Sequence, residues 1–196
     1  MLLAVAPGCR KKAAPLDDTS RFALSVVEAA RSPAGLGADL IDADLVEQSR
    51  RMQLVRRTTL DTWEADKLRA VLGGEGGPDR QYPVAERPQK QRERATRGLR
   101  ATLDGACRAS SWPAARDGRV RFLTLPWGPT LPDEVKAAQA DLARRLAGAE
   151  AARVTCKTGD VVFLIVPGSD GKRRLVDIFP TATPNLVVSP NEPTMK

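Results

Sequence analysis

Histidine is absent from the 196 residues. That removes the commonest general base, the Ser-His-Asp and Cys-His triads, and the usual catalytic zinc sites. Carboxylate, lysine or cysteine chemistry stays open, but no catalytic motif accompanies it, so the chain reads as a non-enzyme. Aromatic residues make up only 4%, which leaves the core to Ala, Val and Leu. No apolar run approaches the roughly 18 residues that span a bilayer. The glycine-rich stretch GGEGGPDRQYPVAERPQ at 73–89 carries neither GxxxxGK[ST] nor GxGxxG. It therefore reads as a flexible connector, and no nucleotide or other cofactor is expected.

Hydrophobic residues reach 42% and charged residues 28%, enough for a globular core. Basic residues outnumber acidic ones 31 to 24, a net charge of +7. The excess favours anionic partners: phospholipid headgroups, lipopolysaccharide or nucleic acid. Of the basic residues 23 are Arg and 8 are Lys. With so much Ala, that bias reads first as a G+C-rich bacterial genome.

Hydrophobic periodicity places helices first. Asp17, Asp18, Thr19 and Ser20 supply N-cap candidates for a helix carrying Phe22, Val26, Ala29 and Ala30 on one face. A second helical region spans 38–55. A third carries Leu60, Trp63, Leu68, Val71 and Leu72, and stops at Gly73. From 89 to 109 a further helix carries Leu99, Leu103, Ala106 and Cys107 on one stripe. Residues 119–125 read as a strand. Pro132, Asp133 and Glu134 then open an amphipathic helix with Val135, Ala138, Leu142 and Leu146 on its apolar face. Residues 150–180 read as a three-stranded antiparallel meander around VVFLIV at 161–166, with PGSDGK as a hairpin loop. The expected fold is α+β, with N-terminal helices packed on one face of a small antiparallel sheet. Residues 19–180 form the single domain, and 181–196 a Pro-rich tail with room for a short edge pairing at 186–188.

Four constellations carry chemical meaning. Asp39, Asp42, Asp44 and Glu47 cluster early in the second helix; they read as a solvated face favoured by the helix dipole, not as a metal site. Arg87, Lys90, Arg92, Arg94, Arg97 and Arg100 oppose Glu93 alone, with Lys90, Arg94 and Arg97 at i, i+4 and i+7. Lys90, Arg94, Arg97 and Arg100 are the candidate anion-binding residues, and Arg50, Arg51, Arg56 and Arg57 form a second basic cluster. Tyr82, Trp112 and Trp127 are expected in loops. Cys107 and Cys156 are either two buried thiols or a disulfide pair, according to compartment.

The remaining cysteine carries a resemblance. In MLLAVAPGCRKK, Ala6 and Gly8 precede Cys9, and the stretch resembles the lipobox of bacterial lipoproteins. It departs from that pattern at Ala6, where Leu is usual, and at Pro7; no basic n-region precedes it. The resemblance implies a signal remnant at 1–9 with Cys9 acylated, and residues 10–18 follow as a tether. An acylated Cys9 leaves an even pair of cysteines. The ending GKRRLVDIFP resembles the closing hairpin of NTF2-like or cystatin-like envelope domains, though the strand-then-helix step at 119–147 departs from it. The first functional reading is a lipid-anchored cell-envelope module without enzymatic activity. Its partners would be the membrane, anionic lipid, cell-wall polymer or an envelope protein. The alternative is a cytosolic nucleic-acid-binding protein using the 87–100 helix.

Overall fold

A strand with no polar side chain along its middle organises the molecule. The computed structural model describes residues 15–61, 64–73, 87–116, 131–168 and 170–180. The expected strand at 119–125, residues 74–86 of the expected 73–89 connector and the tail at 181–196 lie outside them; at the connector's ends, Gly73 closes one helix and Pro88 and Gln89 open another. Strand β3 (Asp160–Pro167) holds six apolar residues from Val161 to Val166, each 4% exposed or less. Successive side chains of a strand point to opposite faces, so such a strand needs cover on both sides. Its neighbours are β2 (Glu150–Thr155) and β4 (Arg173–Pro180), both antiparallel, and β1 (Arg108–Pro113) adds to β2. The sheet order β1-β2-β3-β4 is a simple meander. Leu164 opposes Asp177 and Ile165 opposes Leu175, so Val176 is the extra residue of a bulge.

One face lies under α1 (Asp18–Arg31) and α4 (Pro88–Thr102). Ala23, Val26, Val27 and Ala30 recur at helical spacing and pack with Leu99 over Ala152, Val154, Phe163 and Leu175. The other face lies under α2 (Ala43–Asp61) and α5 (Asp133–Arg145), which bring Leu45, Met52 and Leu142 over Ala151, Val162, Leu164 and Val176. A short helix, α3 (Ala65–Gly73), forms an outer layer, with Leu68 and Val71 against Val55 of α2 and Val135 of α5. Leu60 therefore belongs to α2, not to the third helix. Gln48 of α2 donates to Asp141 of α5 at 2.7 Å, and Thr19 of α1 donates to Glu150 of β2.

The expected α+β class holds. Helices cover both faces of the sheet, where the sequence placed them on one, because β3 is apolar on both sides. The meander has a fourth strand. Residues 107–109 do not continue the 89–109 helix: α4 ends at Thr102, and Arg108 starts β1. Gly105, with φ +74°, turns the chain between them. Trp112 consequently sits in β1 opposite Ala151, not in a loop, and packs against the α2–α5 side.

The outer edge of β4 is blunted. Ile41 forms a one-residue parallel bridge with Leu175, the Asp42 amide donating to the Leu175 carbonyl at 3.1 Å. Further along, the Ile178 amide donates to Asp177 Oδ1 at 2.7 Å. Covered or side-chain-capped backbone groups make a poor template for an added strand.

Candidate binding face

Helix α4 begins with Pro88, whose missing N–H is harmless in a first turn. Gln91, Thr96 and Leu99 are its buried residues. Thr96 Oγ1 accepts the Leu36 amide at 3.1 Å, which locks the helix against the α1–α2 connection. With that face buried, Lys90, Arg94 and Arg97 form one exposed stripe. Arg100 does something else. Its Nε and Nη2 donate to the carbonyls of Ala30 and Ser32, at the C-terminal end of α1. A cation there satisfies carbonyls left open by the helix and complements its dipole. The structure thus brings together three of the four candidate anion-binding residues and turns the fourth toward α1.

In the second basic cluster, Arg50 and Arg51 are bound up internally, while Arg57 is exposed. Arg50 and Arg51 both donate to Glu47, at 2.7–2.9 Å, and Arg51 also reaches the Leu72 carbonyl at 3.2 Å. Burial pushes the Glu47 carboxyl up, but these hydrogen bonds outweigh it and leave its pKa lowered. Burial also lowers the Arg56 pKa.

Between α4 and β4 runs a groove of about 280 Å³. Leu99, Val161, Leu175 and Ile178 make its apolar walls. Gln91 and Arg94 bring an amide and a guanidinium from α4, and Asp177 faces them from β4. Asp177 Oδ1 accepts the Ile178 amide, and its Oδ2 accepts Gln53 Nε2 at 3.1 Å. Gly98 also lines the groove, and a Cβ added there would meet nothing within 4 Å. Glycine inside a helix costs about 0.5–1 kcal/mol relative to Ala, and no packing requires it here.

At one end of the sheet, Cys107 and Cys156 form a disulfide. They join the approach to β1 to the end of β2. The same corner carries hydrogen bonds from Lys157 N to Asp104 O, Asp104 N to Thr158 Oγ1, and Cys156 N to Gly159 O, all between 2.8 and 3.0 Å. Arg31 Nη2 lies 3.2 Å from Cys107 Sγ.

The early acids serve separate ends. Asp42 Oδ1 accepts the Leu45 amide at 3.0 Å as the first turn of α2 begins, and Arg145 approaches it at 3.5 Å. Glu47 holds the two arginines, Asp39 belongs to a short 3-10 turn, and Asp44 is exposed. Among the described residues no three Cys, Asp or Glu side chains gather for a metal. Cys9, Trp63, Tyr82 and Trp127 lie outside the described residues.

Sequence reasoning found the basic stripe but missed the groove. Its walls come from residues some eighty positions apart, and the only local signal was a glycine in the middle of a basic helix. In comparisons with known proteins, no family model, curated protein or solved structure matches the chain.

Proposed function

We propose that this chain is a non-catalytic binding module of the bacterial cell envelope, anchored to the membrane through an acylated Cys9. The Cys107–Cys156 disulfide is the observation that carries the proposal. Disulfides persist in oxidising compartments and are rare in a reducing cytosol. The lipobox-like APGC at 6–9 supplies the anchor. The stripe of Lys90, Arg94 and Arg97 supplies a surface for an anionic lipid or cell-wall polymer.

The test is to express the gene from its native locus with labelled palmitate, alongside Cys9→Ser. Label on the wild type and none on the variant supports anchorage. No label on the wild type, or label on both, sinks it. Counting thiols in the purified protein without reductant tests the compartment; two free thiols at 107 and 156 would contradict export.

The same stripe favours a second reading, a nucleic-acid-binding protein. Phosphate contacts of that kind give strongly salt-dependent affinity. That reading predicts retention on DNA or RNA that fades with salt and weakens when Arg94 and Arg97 are changed to Ala.

A further inference from the structure

The two ends of the Cys107–Cys156 bridge are not alike. Both cysteines belong to the α1–α4 face of the sheet, but Cys156 is buried and Cys107 half-buried. Arg31, the last residue of α1, brings Nη2 to 3.2 Å from Cys107 Sγ. This arginine is exposed, and among the described residues no carboxylate pairs with it. The other charged groups on this side of the corner are Glu28 on α1, Arg100 on α4, Asp104 in the turn and Lys157 after β2. Arg108 and Asp160 flank Thr155 on the opposite pleat. Asp104 Oδ1 accepts the Gly105 amide at 2.7 Å. Helix carbonyls carry partial negative charge that would oppose an anion here. Those of α1 are occupied: Glu28 and Ala29 accept the Ser32 amide at 3.0 and 3.1 Å, and Ala30 accepts Arg100.

From this we infer that Cys107 is the reactive member of the pair, the thiol through which the bond is made, with Arg31 stabilising its thiolate. The thiolate is the nucleophile in thiol–disulfide exchange, and a neighbouring guanidinium lowers a thiol's pKa. The co-reactant is an accessible disulfide. The Cys107 thiolate attacks one of its sulfurs; a mixed disulfide forms and the reagent's other sulfur leaves as a thiolate. Cys156 then gives its proton to solvent and attacks Cys107 Sγ, expelling the reagent's second thiolate. The pair loses two electrons and the reagent gains two. The assignment goes beyond the binding-module reading and stands whether or not Cys9 carries a lipid. Palmitate label and the native thiol count read anchorage and compartment; the rates below read the corner alone.

The experiment starts from the full chain reduced with dithiothreitol, which is then removed. Iodoacetamide is added below one equivalent at about pH 6, under the usual thiol pKa, and the label is located by peptide mass. Expected is about tenfold more label on Cys107 than on Cys156, from thiolate content and access together. In concentrated urea the two should react alike. Next, bond formation is timed with glutathione disulfide, an anion, and with uncharged hydroxyethyl disulfide, in wild type and in Arg31→Ala. Losing the guanidinium removes thiolate about tenfold but raises its nucleophilicity about threefold, so both reagents should slow about threefold. The midpoint of Cys107 alkylation against pH should rise in the same variant. Label spread equally or favouring Cys156, a preference that persists in urea, or an unchanged rate in Arg31→Ala would each overturn the assignment. Slowing with glutathione disulfide alone would also overturn it, because Arg31 would then attract an anion without stabilising the thiolate.

Discussion

Asp17 accepts the Ser20 amide and the Ser111 hydroxyl on Oδ1, and the Ser20 hydroxyl on Oδ2, all at 2.8–2.9 Å. The Ser20 amide does most to lower its pKa, from 3.8 to about 2. One carboxylate thereby caps α1 and ties it to β1. Its folded pKa lies below the unfolded one, so the stability it contributes is complete above about pH 4 and is lost as pH falls through about 2. Asp17 is exposed, so solvent screening keeps the effect at the scale of an ordinary N-cap. Asp17→Ala should cost about 1 kcal/mol near pH 7. Melting curves of variant and wild type should converge toward pH 2; a constant gap would contradict the assignment. Phe163 is the opposite kind of residue: fully buried, central and uncharged. Phe163→Ala should cost about 3–5 kcal/mol, read as a lower denaturant midpoint at unchanged slope.

At the scale of elements, α4 and β1 show where sequence patterns inform and where they fail. The six-residue apolar run of β3 and the Pro-Asp-Glu start of α5 announce themselves, because each carries its own period or cap. Strand β1 does not. RASSWP has little apolar content, and its exposed and half-buried positions reflect an edge strand held by pairing with β2. The stripe of Leu99, Leu103, Ala106 and Cys107 extends the helical pattern past the true end of α4. Leu103 and Cys107 do pack with the α1–α4 side, but as parts of a turn and a strand approach. The basic stripe was legible because it lies on one helix; the groove was not, because its far wall belongs to β4. Two glycines near this junction should respond in opposite directions. Gly98→Ala should raise stability by about 0.5–1 kcal/mol, since the site is helical and open. Gly105→Ala should lower it, because φ is +74° and the new Cβ would sit 2.9 Å from Lys157 Cβ. Thermal melting of the two variants checks both signs. A loss of stability in Gly98→Ala would mean that the groove needs the glycine for folding.

Across the whole molecule, a four-stranded sheet covered on both faces buries its centre well but leaves its edges dependent on outside support. At β4, Ile41 and Asp177 provide it. At β1, support comes from α1 and from the disulfide, which closes a sequence separation of 49 residues. On the chain-entropy argument, a loop of that size contributes about 4 kcal/mol, chiefly by restricting the unfolded chain. The native corner keeps its other ties when the bond is removed: Lys157 to Asp104, Asp104 to Thr158 and Cys156 to Gly159 are hydrogen bonds that do not involve sulfur. Replacing both Cys107 and Cys156 by Ser should therefore leave the fold intact while lowering the melting midpoint by about 8–16 °C, at about 2–4 °C per kcal/mol. The kinetics should locate the effect. An unfolded chain freed of its cross-link must close the loop anew, so refolding should slow while unfolding changes little. Stopped-flow refolding and unfolding of the double variant against the oxidised wild type reads the two limbs separately. A loss carried by faster unfolding would instead mean that the bond holds the native corner shut and that the hydrogen bonds around it do not suffice.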